Sequence, residues 1–109
     1  MTVRISDVAT AGAAAAIATN VVPHLAHGIS GKPFPTPFAD PPGVGDSSPA
    51  SNIVWASMNA TVAALLVYTG RSRLRDPACL AVAAVSAAGS AVGLRSYFRK
   101  VRPNGGSVA

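Results

Sequence analysis

The stretch SSPASNIVWASMNATVAALLVYTG (Ser47–Gly70), followed by RSRLRD (Arg71–Asp76) and PACLAVAAVSAAGSAVGL (Pro77–Leu94), decides the fold. Two long windows without Asp, Glu, Lys or Arg flank a short turn that carries three arginines. A third such window, VATAGAAAAIATNVVPHLAHGISG (Val8–Gly31), lies upstream. A helix on the surface of a soluble bundle places charges on its outer face every turn or so, and these windows have none. Roughly 17–25 apolar residues are needed for a helix to cross the hydrocarbon of a bilayer. All three windows meet that length, so each is read as a membrane span.

Composition agrees. Half of the 109 residues are apolar and 12% are charged, against about 25% charged in an average soluble domain. Much of the apolar content is alanine, which favours helix but adds little to membrane partitioning. The clustering of charge therefore carries the inference more than hydrophobicity does. The net charge of +5 is not a nucleic-acid footprint, because no basic domain with interleaved aromatics is present. Arg71, Arg73 and Arg75, and then Arg95, Arg99, Lys100 and Arg102, sit beside window ends. There they are expected to contact phospholipid headgroups. The lone Cys79 excludes an internal disulfide.

The expected architecture is one all-α membrane domain over residues 1–109, a three-helix bundle with spans at about 8–29, 50–70 and 77–97. A Pro-rich loop fills 30–49 and a basic tail fills 98–109. Ser6 or Asp7 is expected to cap the first span, and Ser48-Pro49 and Asp76-Pro77 are cap-plus-proline starts for the other two. Met1–Arg4 with the first window also fits a secretory signal peptide. Its alanine core and the polar Asn20 and His24 argue against that. Pro23 should kink the first helix or end it near Val22. Trp55 and Tyr68 fit the two aromatic belts of a spanning helix. The short basic turn predicts that the second and third spans are antiparallel neighbours. On the third span Ser86, Gly89, Ser90 and Gly93 share one face, a small-residue pattern that admits another helix. Arginines and lysines divide almost evenly between the two sides, so the positive-inside rule does not fix orientation. The shortness of the three-arginine turn favours a cytoplasmic placement for it.

Residues 30–51 hold six prolines and three glycines, which excludes a regular helix or a central strand. Phe34 and Phe38 are too apolar for a freely solvated linker, so an ordered loop capping the bundle is expected.

Candidate chemistry lies beside that loop. Asn20, His24 and His27 form a polar stripe on the first span, and Asn52, Trp55 and Asn59 a matching one on the second. Polar groups at membrane depth are costly unless paired inside a bundle. The two stripes are therefore expected to face each other under Phe34 and Phe38. They either glue helices and loop together or line a pocket for a lipid, quinone or other amphipathic ligand. Two histidines of one turn cannot ligate both faces of a haem, and no metal or other cofactor is implied. The chain has no glutamate, and its four aspartates fall in loops or caps. A carboxylate pair for acid–base chemistry within the spans is absent.

The run Pro23-His24, His27-Gly28, Gly31, Phe34-Pro35-Thr36-Pro37-Phe38-Ala39, Pro41-Pro42-Gly43, Ser47-Ser48-Pro49, Asn52, Trp55 and Asn59 resembles a group of small bacterial multi-span membrane proteins. The resemblance covers the middle third of the chain. It implies a multi-span protein with a Pro/Phe loop and brings no activity with it; the expected setting is a bacterial plasma membrane. Two functions follow as expectations: a non-catalytic accessory subunit or homo-oligomer within a larger membrane complex, or a binding or transport module using the Asn/His/Trp cluster.

Overall fold

The computed structural model describes residues 2–102. Three helices dominate: α1 (Ile5–Ile29), α2 (Pro49–Gly70) and α3 (Pro77–Val101). At 1.5 Å per residue, each exceeds the ~30 Å of a bilayer's hydrocarbon. Each is long and apolar enough to cross a membrane.

The helix starts follow local chemistry. Ser48 Oγ accepts from the Ser51 amide and Asp76 accepts from the Ala78 amide, with proline at the first helical position in both helices. The first helix starts earlier than expected. Arg4 is its N-cap, and Asp7 takes the third helical position, its carboxylate accepting from the Arg4 backbone amide at 2.9 Å. Neither Ser6 nor Asp7 is the cap itself. Pro23 does not end α1, which runs on to Ile29. At the other end of the chain α3 runs past residue 97 to Val101, so the start of the basic tail is helical.

Packing differs from the expected hairpin. α1 packs on both α2 and α3, whereas α2 and α3 barely touch each other. Pairing of Asn20 with Asn59 and of His24 with Asn52 makes α1 antiparallel to α2. Ser86 Oγ donates to the Gly12 carbonyl at 2.7 Å, and the register there is parallel to α3. The reason lies in α1. Its run Ala11-Gly12-Ala13-Ala14-Ala15-Ala16 is small all round, so two helices approach it from different sides. Chain connectivity alone does not outweigh that.

Side chains buried within the helices are small or polar, among them Ala11, Ala14, Ala56, Ala63, Cys79, His24 and Asn52. Large apolar ones such as Leu65, Val67, Val85 and Val92 face outward. This inverts the pattern of a soluble bundle. Gly28 marks the closest approach. A Cβ there would strike Ile53 Cγ1 and lie 3.0 Å from the Pro49 carbonyl oxygen. By contrast, a Cβ at Gly89 or Gly93 meets nothing within 4 Å. Of the expected small-residue face, Ser86 and Ser90 are half-buried while both glycines stand exposed.

The Pro-rich loop is folded back on the bundle. Phe34–Pro35 (β1) and Asp46–Ser47 (β2) pair antiparallel at its neck. Inside it, Thr36 Oγ1 and Ser47 Oγ share a 2.5 Å hydrogen bond. Gly43, at φ +72°, turns its carbonyl toward α3, where the Tyr97 hydroxyl donates to it at 2.6 Å.

Gly28→Ala is expected to lower stability by about 1–3 kcal/mol, the usual cost of overpacking. Gly89→Ala should be neutral or stabilising by up to ~1 kcal/mol, through helix propensity alone. Thermal unfolding of both variants in detergent compares them. Equal melting temperatures would mean that α1 and α2 do not meet at Gly28.

Candidate functional site

The loop end of the bundle is organised by Asn52, which is fully buried. Its Nδ2 donates to the carbonyls of Phe34 at 2.9 Å, Ser48 at 3.1 Å and Ser47 at 3.3 Å. With the nitrogen so placed, Oδ1 is turned to α1, where it meets His24 Nδ1 at 2.8 Å. An amide oxygen only accepts, so His24 carries its proton on Nδ1. His24 is 2% exposed and meets Phe34, Trp55 and Phe98 edge to face. Asn20 Nδ2 donates to Asn59 Oδ1 at 3.4 Å, and Asn59 Nδ2 donates to the Trp55 carbonyl. Phe38 is largely exposed but stands edge-on to Trp55 at 5.4 Å.

The structure thus brings together Asn20, His24, Asn52, Trp55 and Asn59: the asparagine and His24 side chains pair across the helices, Asn52 holds the loop, and the Trp55 ring packs on His24 and Phe38. None of these five lines the cleft between α1 and α3. His27 departs from the stripe. Its Nδ1 donates to the Pro23 carbonyl at 2.7 Å and its ring stacks on Phe34 at 3.8 Å.

His27 and Phe34 belong instead to a cleft of about 630 Å³ between α1 and α3, within the ~300–1,000 Å³ of small-molecule sites. Val22, Pro23, Phe34, Ala91, Leu94 and Phe98 form its apolar lining. Thr19, His27, Arg95, Arg99 and Arg102 supply its polar groups. No acidic residue lines it. Among the described residues, no three His, Cys, Asp or Glu side chains gather as a metal site would need.

The basic residues expected at headgroups fall into different settings. Arg71, Arg75, Arg99 and Lys100 are exposed, and Arg71 lies over the Tyr68 ring at 4.1 Å. Arg73 is half-buried and donates to the Thr2 carbonyl at 2.9 Å. Arg102 is buried, at 8% exposure. Its Nη1 pairs with the Asp46 carboxylate of the loop, and its guanidinium lies 5.4 Å from the Phe34 ring centroid. Phe98 and Arg102 were outside the span and pocket read from sequence. Their four-residue spacing on a continued helix is the available signal, and it is lost when the span is ended at residue 97.

No family model, curated protein or solved structure matches the chain.

Asn52→Leu keeps the volume but removes the side-chain donor to the Phe34 and Ser47 carbonyls and the acceptor of the His24 Nδ1 proton, while the Ser48 carbonyl keeps the backbone amide of residue 52. A loss of about 2–3 kcal/mol is expected, the cost of buried groups left unpaired. Asn59→Leu, at the half-buried and longer contact, should cost less, about 1 kcal/mol. Thermal unfolding and protease cutting within 30–47 read both. Similar losses would remove Asn52 from its central place.

Proposed function

We propose that the chain is a three-span integral membrane protein that binds an amphipathic molecule in the cleft between α1 and α3, without catalysing a reaction on it. The cleft carries this reading. It joins a continuous apolar lining to a basic mouth, the shape and chemistry of a lipid-like ligand with a polar head. Membrane insertion is supported by the apolar length of the helices and by their outward-facing Leu and Val side chains. The Asn/His/Trp cluster takes the structural role, since Asn20 pairs with Asn59 and His24 with Asn52. A bacterial plasma membrane is the setting suggested by the loop resemblance.

A second reading, an accessory subunit or homo-oligomer, is supported by Gly89 and Gly93. They leave a flat, uncovered strip on α3 of the kind that admits a neighbouring helix. The two readings are compatible, because the strip and the cleft use different residues.

Single cysteines replacing the exposed Pro37 and Arg75, in a Cys79→Ala background, test the topology. In sealed vesicles a membrane-impermeant maleimide is expected to reach them from opposite sides. Labelling from the same side, or a protein that stays soluble without detergent, overturns the three-span reading.

The cleft is tested by purification in mild detergent with mass spectrometry of co-purifying molecules. Ala91→Trp fills the apolar wall and should remove a bound amphiphile while leaving the melting temperature close to that of the parent. An unchanged set of co-purifying molecules removes the binding reading.

A further inference from the structure

We propose that the cleft takes an anionic lipid, a phosphate-type headgroup held by Arg102 and Arg99 with an acyl chain along Val22, Ala91 and Leu94. This rests on the binding reading above and gives the ligand its chemical class. The observation behind it is an incomplete ion pair. Arg102 is more than nine-tenths buried, and Asp46 satisfies only its Nη1. Nε and Nη2 are screened from solvent and find no acceptor among the described residues.

A guanidinium stays charged at any physiological pH, so these buried N–H groups have no protonation change by which to escape. Leaving donors of a charged group unmet costs more than leaving neutral ones. Nε–H and Nη2–H form one edge of the planar fork, the edge that grips two oxygens of a phosphate or carboxylate at once. Arg102 itself lines the cleft, so a turn of its side chain brings that edge to an acceptor bound there.

The rest of the cleft selects the acceptor. Arg95 and Arg99 add two further cations and no lining residue is acidic, which favours an anion over a neutral head. Exposed cations near a helix C-terminus also complement its dipole, so Arg99 alone would not distinguish the two. The half-satisfied, buried Arg102 does. The rest of the lining is apolar at Val22, Ala91, Leu94 and Phe98. A free anion has no use for that surface, whereas an acyl chain packs against such a wall.

Native mass spectrometry in mild detergent, with added phosphatidylglycerol or phosphatidylcholine, reads the preference directly. The parent protein should hold phosphatidylglycerol about tenfold more tightly, the scale of one charge-assisted hydrogen-bonded contact. Arg102→Gln and Arg99→Gln should each erase most of that preference. Arg99 is exposed, so its variant keeps the test valid if Arg102→Gln loses the loop. Lys32→Gln removes the same charge from the loop away from the cleft and should keep the preference.

Equal loss in Lys32→Gln would mean diffuse surface attraction and overturn the proposal. So would equal binding of both lipids by the parent. Inorganic phosphate that binds without lipid and is unaffected by Ala91→Trp would make this a free-anion site, which also overturns it. If Ala91→Trp abolishes binding of both lipids while Arg102→Gln leaves their ratio unchanged, the cleft stands and its anionic selectivity falls. If Ala91→Trp changes neither, the cleft reading itself falls.

Discussion

One side-chain amide ties this molecule together. Asn52 sits on α2, yet its nitrogen holds the carbonyls of Phe34, Ser47 and Ser48, and its oxygen holds His24 of α1. Two helices and both ends of a proline-rich loop therefore meet at one side chain with no access to solvent. Prolines donate no backbone hydrogen bond, so a loop rich in them closes itself through no more than the two-residue ladder of β1 and β2. Its carbonyls need donors from elsewhere, and Asn52 supplies them where water does not reach. The folded loop in turn fixes Phe34, against which His24, His27 and Phe98 pack. The wall of the cleft is a consequence of that amide.

Small residues set the second constraint. Helices in an apolar setting gain little from burying leucine, because the surroundings are as apolar as the core. Close backbone approach and the hydrogen bonds it allows matter more. That accounts for a core of alanine, for Gly28 beneath Ile53, and for Ser86 reaching the Gly12 carbonyl of a neighbouring helix. It also accounts for α1 lying between its two partners. Chain order and a short turn bring α2 and α3 near at one end only, whereas the alanine run of α1 offers contact along its length.

The parts of this fold set by local chemistry were legible in the sequence: three long helices from charge-free windows, and two helix starts from Ser48-Pro49 and Asp76-Pro77. The pairing of the Asn/His stripes was legible too, because polar side chains in apolar helices have few places to go. What escaped were relations between distant segments. The centrality of α1 depends on comparing how closely each helix can be approached, which no single window displays. The Gly89/Gly93 spacing looked like packing but faces outward within the chain, since glycine permits approach without requiring it. Arg102 looked like a surface cation because it follows a basic run. Its burial depends on the loop returning over α3 to place Asp46 beside it.

That last residue separates two ways of burying charge. An ion pair taken out of water repays its desolvation only if the remaining donors are also met. The Arg4–Asp7 pair avoids the difficulty, since the Arg4 side chain stays largely exposed and hydrated. Arg102 lacks that recourse. Asp46 meets one nitrogen, the Phe34 ring face lies near the guanidinium plane, and one complete edge is left without a partner among the described residues. Stability alone would favour replacing such a group with an apolar one of similar volume. Its position in the wall of a basic-mouthed apolar cleft instead gives the unfilled edge an address: the oxygens of a headgroup whose chain the same cleft accommodates.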